Sequence, residues 1–186
     1  MRIIAGALKG RRLKPPSWEG LRPTSDKLRE TLFNILAARI ANARVLDLYA
    51  GTGAIGIEAL SRNAAHVTFV EHDRRAQALI EENLAHCGVA QGYAIIRASV
   101  ARGLETLRAQ PAFDIVVLDP PYAIQHSETV DGVMAVAANV MAPDGVLILE
   151  HARKRHAPET AGQLVRSREV LSGDSALAFY KLRGRS

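Results

Sequence analysis

From residue 44 onward the chain repeats one unit: a short apolar run, a turn, then an amphipathic helix. The runs span residues 45–50, 66–71, 93–98, 114–119 and 145–150. Ile115-Val116-Val117-Leu118 has no polar face, which suits a strand buried on both sides, as a parallel sheet requires. Between the runs, Ala76, Leu79, Ile80, Leu84 and Cys87 recur at helical spacing behind Asp73, an expected N-cap, and Gly88 ends that helix. Val130, Val133, Met134, Ala137, Val140 and Met141 repeat the pattern further on. Strands alternating with helices of this length predict a doubly wound, mostly parallel α/β sheet.

Both ends depart from that rhythm. Residues 166–171 and 176–182 flank Ser172-Gly173-Asp174-Ser175 and read as an antiparallel hairpin that finishes a seven-stranded sheet. At the start, Arg2-Ile3-Ile4 and Arg11-Arg12-Leu13-Lys14 read as a small β-hairpin around Gly6 and Gly10. After a Pro-rich loop, Ser25 and Asp26 open a helix that carries Leu28, Leu32, Ile35, Leu36 and Ile40 on one side and is expected to pack on the core. The expected division is an extension over residues 1–40 and an α/β domain over residues 41–186.

Charge follows the same division. The chain holds 24 Lys+Arg against 19 Asp+Glu. Eight of the bases (Arg2, Lys9, Arg11, Arg12, Lys14, Arg22, Lys27, Arg29) fall in residues 1–30, against Glu19, Asp26 and Glu30. The other 156 residues hold sixteen of each sign. Such asymmetry points to a polyanion, nucleic acid first and a membrane surface second, although a solvated tail would carry the same charge.

Gly51-Thr52-Gly53-Ala54-Ile55-Gly56 follows the first core strand and opens a helix, with Glu71 twenty residues after Gly51 at the end of the second strand. Glycines let a ligand approach the backbone, and a carboxylate at that place can accept from both ribose hydroxyls. Nicotinamide, flavin and S-adenosylmethionine all fit such a turn. Asp47 narrows the choice. A pyrophosphate on the turn would face a carboxylate at about 5 Å, a repulsion on the order of 3 kcal/mol at an effective dielectric of about 20. S-adenosylmethionine carries no phosphate, and its sulfonium and ammonium would be drawn to Asp47; a turn or helix cap is the plainer explanation of that residue.

Asp119-Pro120-Pro121-Tyr122 directly follows the fourth run, beside the glycine turn in a doubly wound sheet. Consecutive prolines fix the backbone and remove two N–H donors, leaving carbonyls to face a partner. An amino group on a base ring is a poor nucleophile because its lone pair is delocalised. Hydrogen bonds from it to the Asp119 carboxylate and the Pro120 carbonyl would draw that pair toward a methyl donor, and Tyr122 would stack on a base taken out of its helix.

Several chemistries are disfavoured. Cys87 is alone, so neither an internal disulfide nor a multi-cysteine zinc site is available. The six histidines are scattered, and His151 and His156 are five apart, off a shared helix face, so no metal is expected. No apolar stretch approaches the ~18 residues of a spanning helix. Met1-Arg2-Ile3-Ile4-Ala5-Gly6 lacks a secretory apolar region, and a cytoplasmic protein is expected.

Taken together these residues closely resemble the RsmD family, bacterial 16S rRNA guanine-N2 methyltransferases. The resemblance runs through Arg2-Ile3-Ile4-Ala5-Gly6, Gly10-Arg11-Arg12-Leu13, Leu21-Arg22-Pro23-Thr24-Ser25-Asp26 and Arg29-Glu30-Thr31-Leu32-Phe33-Asn34. It continues in Val45-Leu46-Asp47-Leu48-Tyr49-Ala50-Gly51-Thr52-Gly53, Glu58-Ala59-Leu60-Ser61-Arg62, Asp119-Pro120-Pro121-Tyr122 and Gly173-Asp174-Ser175-Ala176-Leu177. It implies a Rossmann-like S-adenosylmethionine-dependent methyltransferase acting on N2 of a guanine in 16S rRNA, within a small ribosomal subunit. Asp47, Gly51 and Gly53 would line the methionine end, Glu71 would hold the ribose, and Tyr49 and Val100 would complete the cofactor contacts. Ser99 stands where the family usually has an acidic residue near the adenine, and its hydroxyl would accept more weakly. Asp119, Pro120, Pro121 and Tyr122 would hold the guanine. Arg22, Pro23 and Thr24 would edge the substrate pocket, with Arg2, Lys9, Arg11, Arg12, Lys14, Lys27 and Arg29 on RNA. A monomer is the expected state. Rival readings are an adenine-N6 or protein-glutamine methyltransferase, a non-catalytic RNA-binding assembly factor and, more distantly, a nicotinamide oxidoreductase.

Overall fold

A computed structural model describes residues 1–19, 24–121 and 127–184. Five strands alternate with helices: β1 (Arg44–Leu48), α2 (Ala54–Ser61), β2 (His66–Glu71), α3 (Arg74–His86), β3 (Tyr93–Arg97), α4 (Val100–Leu107), β4 (Phe113–Leu118), α5 (Ser127–Ala137) and β5 (Met141–Ala152). A helix α1 (Asp26–Ile35) precedes them, and β6 (Thr160–Ala161), β7 (Leu164–Ser172) and β8 (Ser175–Leu182) follow. All the strands join one sheet in the order β3-β2-β1-β4-β5-β8-β7-β6. The first five run parallel, and β8, β7 and β6 pair antiparallel. The fold is the α/β class the sequence predicts, with the hairpin β7–β8 where it was expected.

The sheet has one strand more than the seven expected. The addition is β6, a two-residue edge formed where Gly162 at φ 57° turns the chain so that Thr160 meets Val165. Two residues are too short to show a period.

Alternation along the strands fills two cores. Val45, Ile115, Val117 and Ile148 face α1, α2 and α3, meeting Leu28, Leu32, Ile57, Ile80 and Leu84. Leu46, Leu48, Val116, Leu118 and Leu147 face α4 and α5, meeting Leu104, Leu107, Val130 and Met134. Helix α2 lies so close to β2 that a Cβ on Gly56 would stand 2.2 Å from the Phe69 ring. No other residue fits there.

Residues 1–40 share the first of these cores. Ile3 and Leu13 are buried in it with Leu28, Leu32, Phe33, Leu36 and Ile40. Burying each such side chain stabilises the docked extension by about 1.5–3 kcal/mol. The expected N-terminal hairpin shrinks to one bridge, Arg2 with Arg12. Ile3, Gly10 and Leu13 still donate across it to the carbonyls of Arg11, Ile3 and Met1, but other amides turn to the core: Ile4 and Ala5 donate to Glu58 at 2.7 and 3.0 Å, Leu8 to Ser61 Oγ at 2.9 Å, and Lys14 to Asn83 at 2.7 Å.

Candidate active site

Strand β1 pairs with β2 on one side and β4 on the other, so the chain order reverses between β1 and β4. Leu48 and Leu118 end these strands in register. The segments beyond them therefore leave the sheet side by side, where ligands of open α/β sheets bind. A cleft of about 580 Å³ opens there, lined by Thr24, Lys27, Asp47, Tyr49, Gly51, Glu71, Asp119, Pro120 and Pro121 among others.

Asp47 points to the α2 side of β1, and its Oδ2 accepts from the Gly56 amide at 3.0 Å. It is 1% exposed. Burial holds its carboxyl well above the ordinary carboxylate range; the Gly56 hydrogen bond opposes that rise, and Asp119 and Glu71 add to it. Glu71 is also buried. Its Oε2 accepts from Gly51 N at 2.9 Å, and its Oε1 from His72 N at 2.7 Å and Asp73 N at 2.8 Å. Three backbone amides thus fix the carboxylate expected to meet a ribose, leaving acceptor capacity chiefly on Oε2.

Tyr49 lies between them at φ 62°, a left-handed conformation uncommon for a bulky residue. The turn lets the Ala50 amide donate back to Val70 O at 3.1 Å and brings Gly51 beneath Glu71. Burial pushes the Tyr49 phenol up. Across the cleft, Asp119 Oδ2 accepts from the Thr24 hydroxyl at 2.5 Å.

The arrangement favours a cation. Amides of the glycine turn that a pyrophosphate would need, those of Gly51 and Gly56, already donate to Glu71 and Asp47. Asp47, Glu71 and Asp119 are among the carboxylates that border this cavity, and among the described residues no lysine or arginine forms an ion pair with Asp47. A sulfonium with an ammonium fits such a donor set; a dinucleotide does not. Among the described residues, no group of three His, Cys, Asp or Glu side chains could hold a metal ion. None of the described helices is long and apolar enough to cross a membrane.

Other expected residues stand apart from the cleft. Gly53 is the N-cap of α2 at φ 76°. Ser99 caps α4, accepting from Arg102 N at 3.4 Å, and Val100 is buried in the core beneath α4. Arg2 and Arg12 border a second cleft of about 570 Å³ with Asp26. Lys9 and Arg11 are exposed, and Lys14 pairs with Glu82. Arg29 corrects the expectation of an RNA contact: it is 0% exposed, bonded to Asp26 and the Arg2 carbonyl and 3.6 Å from Glu58. Arg22, Pro23 and Tyr122 lie outside the described residues.

Sequence reasoning assigned no role at the site to Trp18, Asp73, Glu150 or the turn from β7 to β8, all of which line the cleft. Arg75 stacks over the Trp18 ring at 5.0 Å and donates to Asp73, which holds that carboxyl down to about 2. A lone tryptophan in a loop was the available signal. Ser175 arrives because β8 runs antiparallel to β5, and its hydroxyl donates to Glu150 at 2.9 Å. No local pattern announces that neighbour.

Residues 1–181 match the family model described as Conserved hypothetical protein 95. Ribosomal RNA small subunit methyltransferase D of Haemophilus influenzae is 39% identical over 152 residues, 81% of this chain and 78% of that one. The protein of the same name from Escherichia coli K12 is 35% identical over 187 aligned residues, 97% of this chain and 89% of that one. A solved structure of a hypothetical protein from Thermus thermophilus superposes with a TM-score of 0.84 at 28% identity, covering 98% of this chain and 99% of that one.

Proposed function

Since the chain belongs to the RsmD family, whose model is described as Conserved hypothetical protein 95, we propose that it transfers a methyl group from S-adenosylmethionine to the exocyclic N2 of a guanine in 16S rRNA of the small ribosomal subunit. The observation that carries this reading is the meeting of Asp119-Pro120 and the buried, unpaired Asp47 in one cleft. Bound S-adenosylmethionine supplies an electrophilic methyl carbon on a sulfonium.

The protein's part is binding, orientation and hydrogen bonding. Ionised Asp47 attracts the cationic methionine end, and the free acceptor capacity of Glu71 Oε2 serves the ribose. Asp119 and the Pro120 carbonyl accept the two amino protons of the guanine, which aims the nitrogen lone pair at the methyl carbon. Asp119 is the carboxylate in reach when that nitrogen gives up a proton. Tyr122 supplies the stacking surface. Holding reacting atoms in line contributes up to about 7–11 kcal/mol without a covalent intermediate. Arg2, Lys9, Arg11 and Arg12 face the RNA backbone, and the cytoplasm is where such a substrate is met.

Small-subunit particles lacking the modification, incubated with the protein and labelled cofactor, should yield labelled N2-methylguanosine on nucleoside analysis. Label confined to adenine would remove the guanine assignment. Asp119→Ala should bind cofactor and particles normally while its turnover drops by roughly 10²–10³, as when one preorganised hydrogen-bonding group is removed.

A further inference from the structure

Asp47 and Glu71 are held by backbone amides, whereas Asp119 is held by a hydroxyl from 95 residues earlier. The terminal torsion of an aspartate is broad and roughly two-fold, so nothing intrinsic fixes its carboxylate plane. At 2.5 Å the Thr24 contact falls at the short end expected for a hydroxyl bonded to a carboxylate. We infer that Thr24 is a positioning residue for methyl transfer: by occupying Oδ2 of Asp119 it turns Oδ1 toward the substrate amino group. This inference rests on the reading of Asp119 as the acceptor of that group.

Thr24 can do this because its own place is rigid. It immediately precedes Ser25, the N-cap of α1, whose Oγ accepts from Leu28 N at 3.2 Å. Leu28, Leu32 and Phe33 bury α1 in the core, so the hydroxyl stands at the end of an anchored helix. Lys27 of the same helix also reaches the cleft wall. Residues 1–40 thus serve the chemical step as well as RNA affinity: the segment that carries Arg11 and Arg12 also sets the plane of the catalytic carboxylate. The role requires a hydroxyl, which serine retains and valine, of the same shape as threonine, lacks.

The test compares Thr24→Val and Thr24→Ser in the full chain, with small-subunit particles and S-adenosylmethionine as substrates. Thr24→Val should lower kcat by roughly 10- to 100-fold, the effect of a misplaced reacting group, with KM for particles and cofactor Kd nearly unchanged. Thr24→Ser should restore most of the rate. In single turnovers, Thr24→Val added to Asp119→Ala should cost nothing further, because its partner is already gone. An undiminished kcat in Thr24→Val, a failed rescue by serine, or an equal loss in both backgrounds overturns the role of Thr24 alone. If the unsubstituted chain makes no N2-methylguanosine, the proposed reaction falls, and the role of Thr24 falls with it.

Discussion

Asp47 is 1% exposed, with a carboxyl held well above the ordinary range by burial. The unfolded chain releases that proton near the ordinary carboxylate value of about 3.9, while the folded chain keeps it to higher pH. Across that interval the folded state binds more protons, so this residue's contribution to stability declines as pH rises; below the unfolded value it vanishes. A cationic ligand binds the ionised form, so cofactor affinity should climb with pH over the same interval. Asp47→Asn keeps an acceptor for Gly56 N but strands no charge. Its thermal midpoint at about pH 8 should rise, by roughly 2–4 °C for each kcal/mol relieved in a chain of this size. Its cofactor affinity should drop about tenfold or more and lose the pH dependence, readable by calorimetry across the pH range. Glu71 and Asp119 were legible in the sequence because each closes an apolar run, and Asp47 because it interrupts one just before the glycine turn. Their hydrogen-bond partners were not, since the amides that hold Glu71 come from two segments, Gly51 beyond β1 and His72 and Asp73 beyond β2, whose meeting no local pattern encodes. Arg29 was misread for a related reason: a tally of charges carries no information on burial.

The N-terminal extension is fastened by polar side chains of α2 and α3 rather than by a strand. Glu58, fully buried, accepts from Ile4 N, Ala5 N and Arg62 Nε and lies 3.6 Å from Arg29 Nη1. Ser61 accepts from Leu8 N and donates to the Ala5 carbonyl at 2.5 Å, and a Cβ on Gly6 would overlap the Ser61 carbonyl oxygen at 1.8 Å. Removing Glu58 leaves a buried guanidinium with fewer partners, a loss of about 3–5 kcal/mol for a broken buried pair. Glu58→Ala should therefore melt well below the unsubstituted chain, and hydrogen exchange at Ile4 and Ala5 should accelerate more than at β1 or β4. Among the elements, the parallel strands and the N-caps at Ser25 and Asp73 were legible from period and residue type. The fastening of the extension was not, because side chains distant in sequence, Glu58, Ser61 and Asn83, satisfy part of its backbone.

On the scale of the whole molecule, the excess positive charge sits on a segment docked beside the cleft instead of on a loose tail. Arg11 and Arg12 are exposed, whereas Arg29 is sealed inside. Replacing Arg11 and Arg12 together with alanine should lower the slope of log affinity for RNA against log salt by roughly 1.4–1.8 units, two phosphate contacts' worth. A slope that stays put would mean that both side chains point into bulk solvent. The doubly wound sheet and the β1–β4 crevice could be foreseen, because alternation and connection rules leave few topologies. The contribution of the closing hairpin could not, because it depends on β8 lying against β5. That contribution has a temporal consequence. The cleft takes walls from Trp18 and Lys27 and from Ser172 and Ser175, some 150 positions apart. At roughly 5–20 residues per second, about 8–30 s of synthesis separate the two walls. A nascent copy lacks a finished cleft until the second wall has emerged.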